Sequence, residues 1–158
     1  QVYAYGTLIL WTNTDLDISK GVPSLTSSTV KKIAIANPKT APYGTEALNS
    51  IKFYKVQDAL MPKLVIAESI SQTATYISSK SVDVGFMAKS IVLSPEMKNV
   101  GKWIEINEKS YKKIDQGMIG LKNGSPENQI YVKKFIQFMS SSKARGILKN
   151  SGYDLPNK

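Results

Sequence analysis

Between residues 31 and 88 the apolar pattern keeps changing period, and this restricts the fold more than any other feature of the chain. "KKIAIAN" (31–37) reads as a strand. "YGTEALNSIKFY" (43–54) puts Ala47, Leu48, Ile51 and Tyr54 on one helical stripe, and "VQDALMPK" (56–63) reads as a second short helix stopped near Pro62. "KLVIAES" (63–69) is a strand, "ISQTATYISSK" (70–80) a helix with Ile70, Ala74 and Ile77 on one face, and "VDVGFMA" (82–88) a strand. Strands that alternate with helices in this way predict an α/β fold with a parallel, helix-covered sheet.

The flanks read more simply. "YGTLILW" (5–11) is predicted as one buried strand, and 13–30 as a polar, turn-rich stretch with one helical turn after Ser24. "KWIEIN" (102–107) and the glycine-containing "QGMIGLK" (116–122) are further strands. "SPENQIYVKKFIQFMSS" (125–141) is a strong helix, with Ser125 as N-cap and Pro126 at the first helical position. A last helix, 142–153, ends at Gly152. No internal repeat and no low-complexity tract is visible.

Composition removes several functions. The 158 residues include no cysteine and no histidine. Disulfides, thiolate metal sites and the commonest general base are therefore absent, and zinc, copper and haem are disfavoured. A Ser-His-Asp or Cys-His arrangement cannot form. Neither a P-loop nor a G-x-G-x-x-G pattern occurs. Glu46, Glu68 and Asp83 fall in the α/β region, but no spacing pairs two of them, and Glu46 reads as a first-turn acid facing the helix dipole. These observations predict a protein that is not an enzyme and carries no resident metal or cofactor.

Charge is uneven. Residues 109–158 hold 10 Lys/Arg against 3 Asp/Glu, whereas residues 1–108 hold 11 against 9. A basic field attracts anions, although a solvated lysine-rich face is the simpler reading. Nucleic-acid surfaces use arginine forks with interleaved aromatics. Arg145 is the sole arginine, so no nucleic-acid partner is expected. No apolar run approaches the ~20 residues of a membrane span, and no basic segment precedes an apolar one near residue 1.

The loop "ANPKTAPYG" (36–44) is the most suggestive local feature. A strand that runs through a tight loop into a helix leaves backbone N–H groups unpaired at the positive end of the dipole, where an anion can sit. Pro38 and Pro42 stiffen the loop, and Gly44 allows a ligand to approach the backbone. The same strand–loop–helix order recurs at "AESISQTA" (67–74). Both loops lie at carboxyl ends of predicted strands, where ligands bind in open α/β sheets. On spacing alone, two ordinary serine-capped connections are the simpler reading.

Four blocks together carry a family resemblance: "KKIAIANPKTAPYGTEAL", "LMPKLVIAESISQTATYISSKSVDVGFMAKSIV", "IDQGMIGLK" and "ARGILKNSGY". In order and spacing they resemble the periplasmic molybdate-binding proteins of ABC transporters, over about residues 5–153. The resemblance implies a two-lobe, periplasmic-binding-protein-like α/β architecture with one lobe complete and the other only partly present. Residues 1–11 would be the first crossing strand and 12–115 the second lobe. Residues 116–122 would be the return crossing strand and hinge, and 123–158 the C-terminal helices of the first lobe.

The resemblance also implies a site. Molybdate or tungstate would be held without a cationic side chain, by the main-chain N–H groups of Tyr43 and Ile70, with Gly44, Ser69 and Ser71 supporting. Some members place a tyrosine hydroxyl where this chain has Ala88. The family begins with a further segment carrying two more contact loops, and this sequence starts after both. Phe135, Phe138, Ile147 and Leu148 would then expose apolar area, to be covered by a dimer or second chain. The implied partners are the oxyanion and an ABC transporter permease and ATPase. The implied place is the periplasm, or an extracytoplasmic membrane-associated position. Two alternatives are a binding protein for another anion (sulfate, phosphate or a small carboxylate) and the effector-sensing lobe of a transcription regulator. The latter would need a helix-turn-helix, and none is seen.

Overall fold

A computed structural model describes residues 1–121 and 125–157. At its centre is a five-stranded sheet in the order β4-β3-β5-β2-β6. The strands are β2 (Leu8–Thr12), β3 (Ile33–Ala36), β4 (Leu64–Ala67), β5 (Val84–Ala88) and β6 (Lys102–Glu105). β3 pairs in parallel with both β4 and β5, as the alternating pattern predicted. β2 and β6 join antiparallel.

Alternation along each strand assigns the two faces. Leu8, Leu10, Ile33, Ile35, Val84 and Phe86 face one way and bury Ala47 and Ile51 of helix α1 (Pro42–Phe53) and Leu60 of α2 (Gln57–Leu60). The 3-10 turn Val22–Thr26 adds Val22 and Leu25 to the same face. Ile9, Trp11, Ala34 and Met87 face the other way, toward Ala74 and Ile77 of α3 (Ile70–Ser78). α3 sits close because that face is small: a Cβ on Gly85 would lie 2.5 Å from Ile77 Cδ1. Trp11 is fully buried, and its indole N–H donates to the Val100 carbonyl at 2.8 Å. α4 (Lys89–Val92) follows β5 directly.

Residues 5–11 are not one strand. β1 (Val2–Gly6) stops at Thr7 and pairs antiparallel with β7 (Ile114–Gly117) in a separate two-stranded sheet. Tertiary bonds hold the break: the Thr7 hydroxyl donates to Asp154 Oδ2 at 3.2 Å, and the Leu8 N–H donates to the Tyr111 hydroxyl at 3.2 Å. The return strand also begins earlier than the apolar run 116–122 suggested. Beyond it the Met118 N–H donates to the Gln1 carbonyl at 2.9 Å. Ile119 and Leu121 lie past the strand and are exposed, and Lys122 lies outside the described residues.

The C-terminal helices are α5 (Pro126–Met139) and α6 (Ser142–Asn150). Ser125 Oγ accepts from the Asn128 N–H, and Ser141 Oγ from the Ala144 N–H. Ile130, Tyr131, Phe135, Phe138 and Ile147 are each 45–59% exposed. Leu148 is partly covered.

Candidate anion site

The two loops start side by side. Ala36 and Ala67 are register partners at the carboxyl ends of β3 and β4, and the Asn37 N–H donates to the Ala67 carbonyl at 2.7 Å. From there α1 covers one face of the sheet and α3 the other. Adjacent parallel strands whose connections leave to opposite faces open a crevice at their carboxyl ends.

Most donors in the first loop are already used. The Thr40 and Ala41 N–H groups donate to the Asn37 carbonyl, and the Lys39 N–H donates to Asn37 Oδ1. Gly44 and Thr45 donate their N–H groups to the Ala41 carbonyl. Pro38 and Pro42 have no N–H. The Tyr43 N–H is left without an acceptor among the described residues. The second loop repeats the pattern. Ser69 Oγ accepts the Gln72 N–H at 3.2 Å, Thr73 donates to the Ser69 carbonyl, and the Glu68 N–H donates to Gln72 Oε1 at 2.7 Å. The Ile70 and Ser71 N–H groups find no acceptor among the described residues. Tyr43 and Ile70 are thus open first-turn donors, and the Ser71 amide is one that sequence reasoning did not single out. Position two of a helix capped at Ser69 could have revealed it.

The supporting residues divide. Ser69 is the N-cap of α3, and Ser71 is exposed beside it. Gly44 has a different reason from the one its sequence suggested. A Cβ there would lie 2.0 Å from the Ala36 carbonyl oxygen, so glycine lets α1 seat on the strand end, and the residue is buried. Glu46 is not a first-turn acid either. It is buried, lies past the first turn of α1, and its Oε2 accepts from Asn49 Nδ2 and the Lys112 N–H. Asp83 Oδ2 accepts the Lys31 and Lys32 N–H groups. Both carboxylates are engaged in structure. Among the described residues no group of three metal-ligating side chains occurs. Ala88 closes β5 and is buried, bringing no hydroxyl to the crevice.

The Tyr43 phenol packs against the core on the α1 face, and burial holds its pKa well above the ordinary phenol value, with smaller contributions from Tyr153 and Tyr111. A separate recess of about 420 Å³ lies beside the junction of β1 and β2, lined by Tyr5, Gly6, Glu108, Lys109, Tyr111 and Lys113 among others. It does not include either loop.

The chain belongs to the bacterial extracellular solute-binding proteins, whose family model matches residues 1–154. It is 32% identical over 152 residues to the molybdate-binding protein ModA of Rhodobacter capsulatus, covering 96% of this chain and 58% of that protein. It is 28% identical over 153 residues to ModA of Azotobacter vinelandii, covering 97% of this chain and 60% of that protein. The solved structure of the Azotobacter vinelandii periplasmic molybdate-binding protein superposes with a TM-score of 0.87 at 28% identity, over 99% of this chain and 68% of that one. The chain spans about three-fifths of the length of these curated relatives. The family resemblance and the α/β periplasmic-binding-protein architecture therefore stand.

Proposed function

We propose that this chain binds molybdate or tungstate and presents it, on the extracytoplasmic side, to the permease and ATPase of an ABC transporter. The observation that carries the reading is the pair of open helix-start amides, Tyr43 and Ile70, at register-matched ends of adjacent parallel strands. Gly44 and Ser69 hold the two helix starts in place, and the Ser71 amide adds a third donor. The relatives named molybdate-binding support the choice of oxyanion.

The mechanism follows from the donor set. Neutral N–H dipoles stabilise a dianion without a paired cation, and the positive ends of α1 and α3 add to this. A site of donors alone disfavours a ligand whose proton needs an acceptor, which discriminates against hydrogen phosphate. Cavity size must separate molybdate and tungstate from sulfate. Each amide bonded to a charged oxygen contributes about 1.5–3 kcal/mol. Two or three such bonds sum to about 3–9 kcal/mol, which corresponds to a dissociation constant from several millimolar to roughly micromolar or just below. The remaining affinity would come from contacts that these residues do not supply.

In this reading β1 and β7, rather than 1–11 and 116–122, cross between lobes, the five-stranded sheet with its helices forms the second lobe, and α5 and α6 belong to the first. The anion is enclosed as the lobes close about the crossing strands. The exposed apolar face of α5 and α6 would be covered by further polypeptide, from a second chain or a preceding segment. Titration calorimetry with molybdate, tungstate, sulfate and phosphate tests the proposal. Molybdate and tungstate should bind at least about tenfold more tightly than the other two. Equal affinities, or a preference for phosphate or a carboxylate, would replace it with the reading of another anion.

A further inference from the structure

We propose that Tyr43 is a positioning residue for the anion site, and that it acts through Gly6: its phenol rests on the first crossing strand and fixes where its own amide sits. This rests on the anion-binding reading above. The key contact is specific. A Cβ built on Gly6 would lie 2.0 Å from Tyr43 Oη and 2.8 Å from Cζ, whereas its next neighbour, Gln116 Nε2, is at an ordinary 3.4 Å. The Gly6 backbone is not among those with positive φ, so strand conformation does not demand a glycine there. Only the phenol does.

Two further bonds make the contact part of a larger attachment. Ser50 of α1 shares a hydrogen bond with Ser110 at 2.8 Å, and Glu46 of α1 accepts the Lys112 N–H at 2.7 Å. Both partners lie in the segment that enters β7. α1 is therefore fastened to both strands of the two-stranded sheet, at Gly6 on one side and just before Ile114 on the other. Among the described residues no hydrogen bond ties α3 to the two-stranded sheet, and its main contacts are with β2, β3, β4 and β5. The two halves of the anion site are built differently. The Ile70 amide is carried by the five-stranded sheet alone, while the Tyr43 amide also follows the crossing strands. A displacement at Gly6–Thr7 therefore reaches the first loop and spares the second.

Amide hydrogen exchange on the ligand-free protein tests this, using Gly6→Ala, Tyr43→Ala and the double variant. Gly6→Ala should speed exchange of the hydrogen-bonded Ala41, Gly44 and Thr45 amides on the order of tenfold, and leave those of Gln72 and Thr73 unchanged. In the Tyr43→Ala background, adding Gly6→Ala should change nothing further. Unchanged exchange in the first loop, an equal rise in both loops, or the same Gly6→Ala effect without the phenol would overturn the proposal. If Gly6→Ala does not fold, restored folding of the double variant supports the collision, and its failure overturns it. Calorimetry with molybdate is the second readout, and Gly6→Ala should weaken binding on the order of tenfold. An unmodified protein that takes no molybdate would sink the anion-binding reading, while the exchange result still decides the positioning role.

Discussion

α3 and α5 offer the same kind of sequence and meet opposite fates. Each has a serine N-cap and an apolar stripe. Ala74 and Ile77 of α3 are buried on the sheet, whereas Phe135 and Phe138 of α5 remain 59% and 45% exposed. The difference lies in what each stripe has to cover it. β3, β4 and β5 bring α3 its counterpart within the chain, and among the described residues α5 meets chiefly α6. An amphipathic stripe shows which face wants cover, not whether the cover is there. Helices at a ligand site need a rigid seat, and the sheet region provides one.

The largest expected effect breaks this contrast most simply. Phe86, on a central strand and 1% exposed, should cost about 3–5 kcal/mol in urea unfolding when changed to alanine. Phe135→Ala should change stability by no more than ~0.5 kcal/mol, as for a surface site. Similar losses at the two positions would contradict the assignment of cover. Glycines sharpen the comparison next. Gly44→Val must push against the Ala36 carbonyl and should destabilise by about 1–3 kcal/mol or more. Gly146→Ala in α6, where an added Cβ meets nothing within 4 Å, should stabilise by about 0.5–1 kcal/mol.

Caps come third. Ser69→Ala should lower stability by about 1 kcal/mol. Ser125→Ala should have a similar local effect, visible as faster amide exchange in α5 without a matching shift in the unfolding of the sheet. The smallest expected effect is alkaline. Burial raises the phenol pKa of both Tyr43 and Tyr111 above the ordinary 10.0. The unfolded chain then loses these protons first, so the fold binds more protons above about pH 10 and its stability falls as pH rises. Tyr43→Phe should flatten that fall in a pH series of unfolding midpoints.

How much was legible depended on where the deciding partner lay. The alternation through 31–88 announced its strands and helices because each element's apolar spacing matched its own period. The two helix-start loops were legible because helix starts leave amides open by geometry, whereas the choice of Tyr43 and Ile70 within them came from the family resemblance. The break at Thr7 was not, since "YGTLILW" is apolar on both sides and the bonds holding the break come from Tyr111 and Asp154, over a hundred residues away. The apolar run Met118–Leu121 drew the return strand too far along, because apolar spacing does not show that the ladder with β1 runs over Ile114–Gly117. Gly44 and Glu46 have local spacings that fit a ligand loop and a dipole-facing acid. Their actual partners, the Ala36 carbonyl and the Lys112 N–H, are tertiary.

The central claim is that main-chain amides of two helix starts hold the anion, and amide chemical shifts measure this directly. In a titration of the isotopically labelled protein with molybdate, the account predicts saturable shifts largest at the Tyr43, Ile70 and Ser71 amides, with the lysine-rich C-terminal helices little changed. Shifts centred on those lysines, or on the recess beside Tyr5 and Lys113, would contradict it.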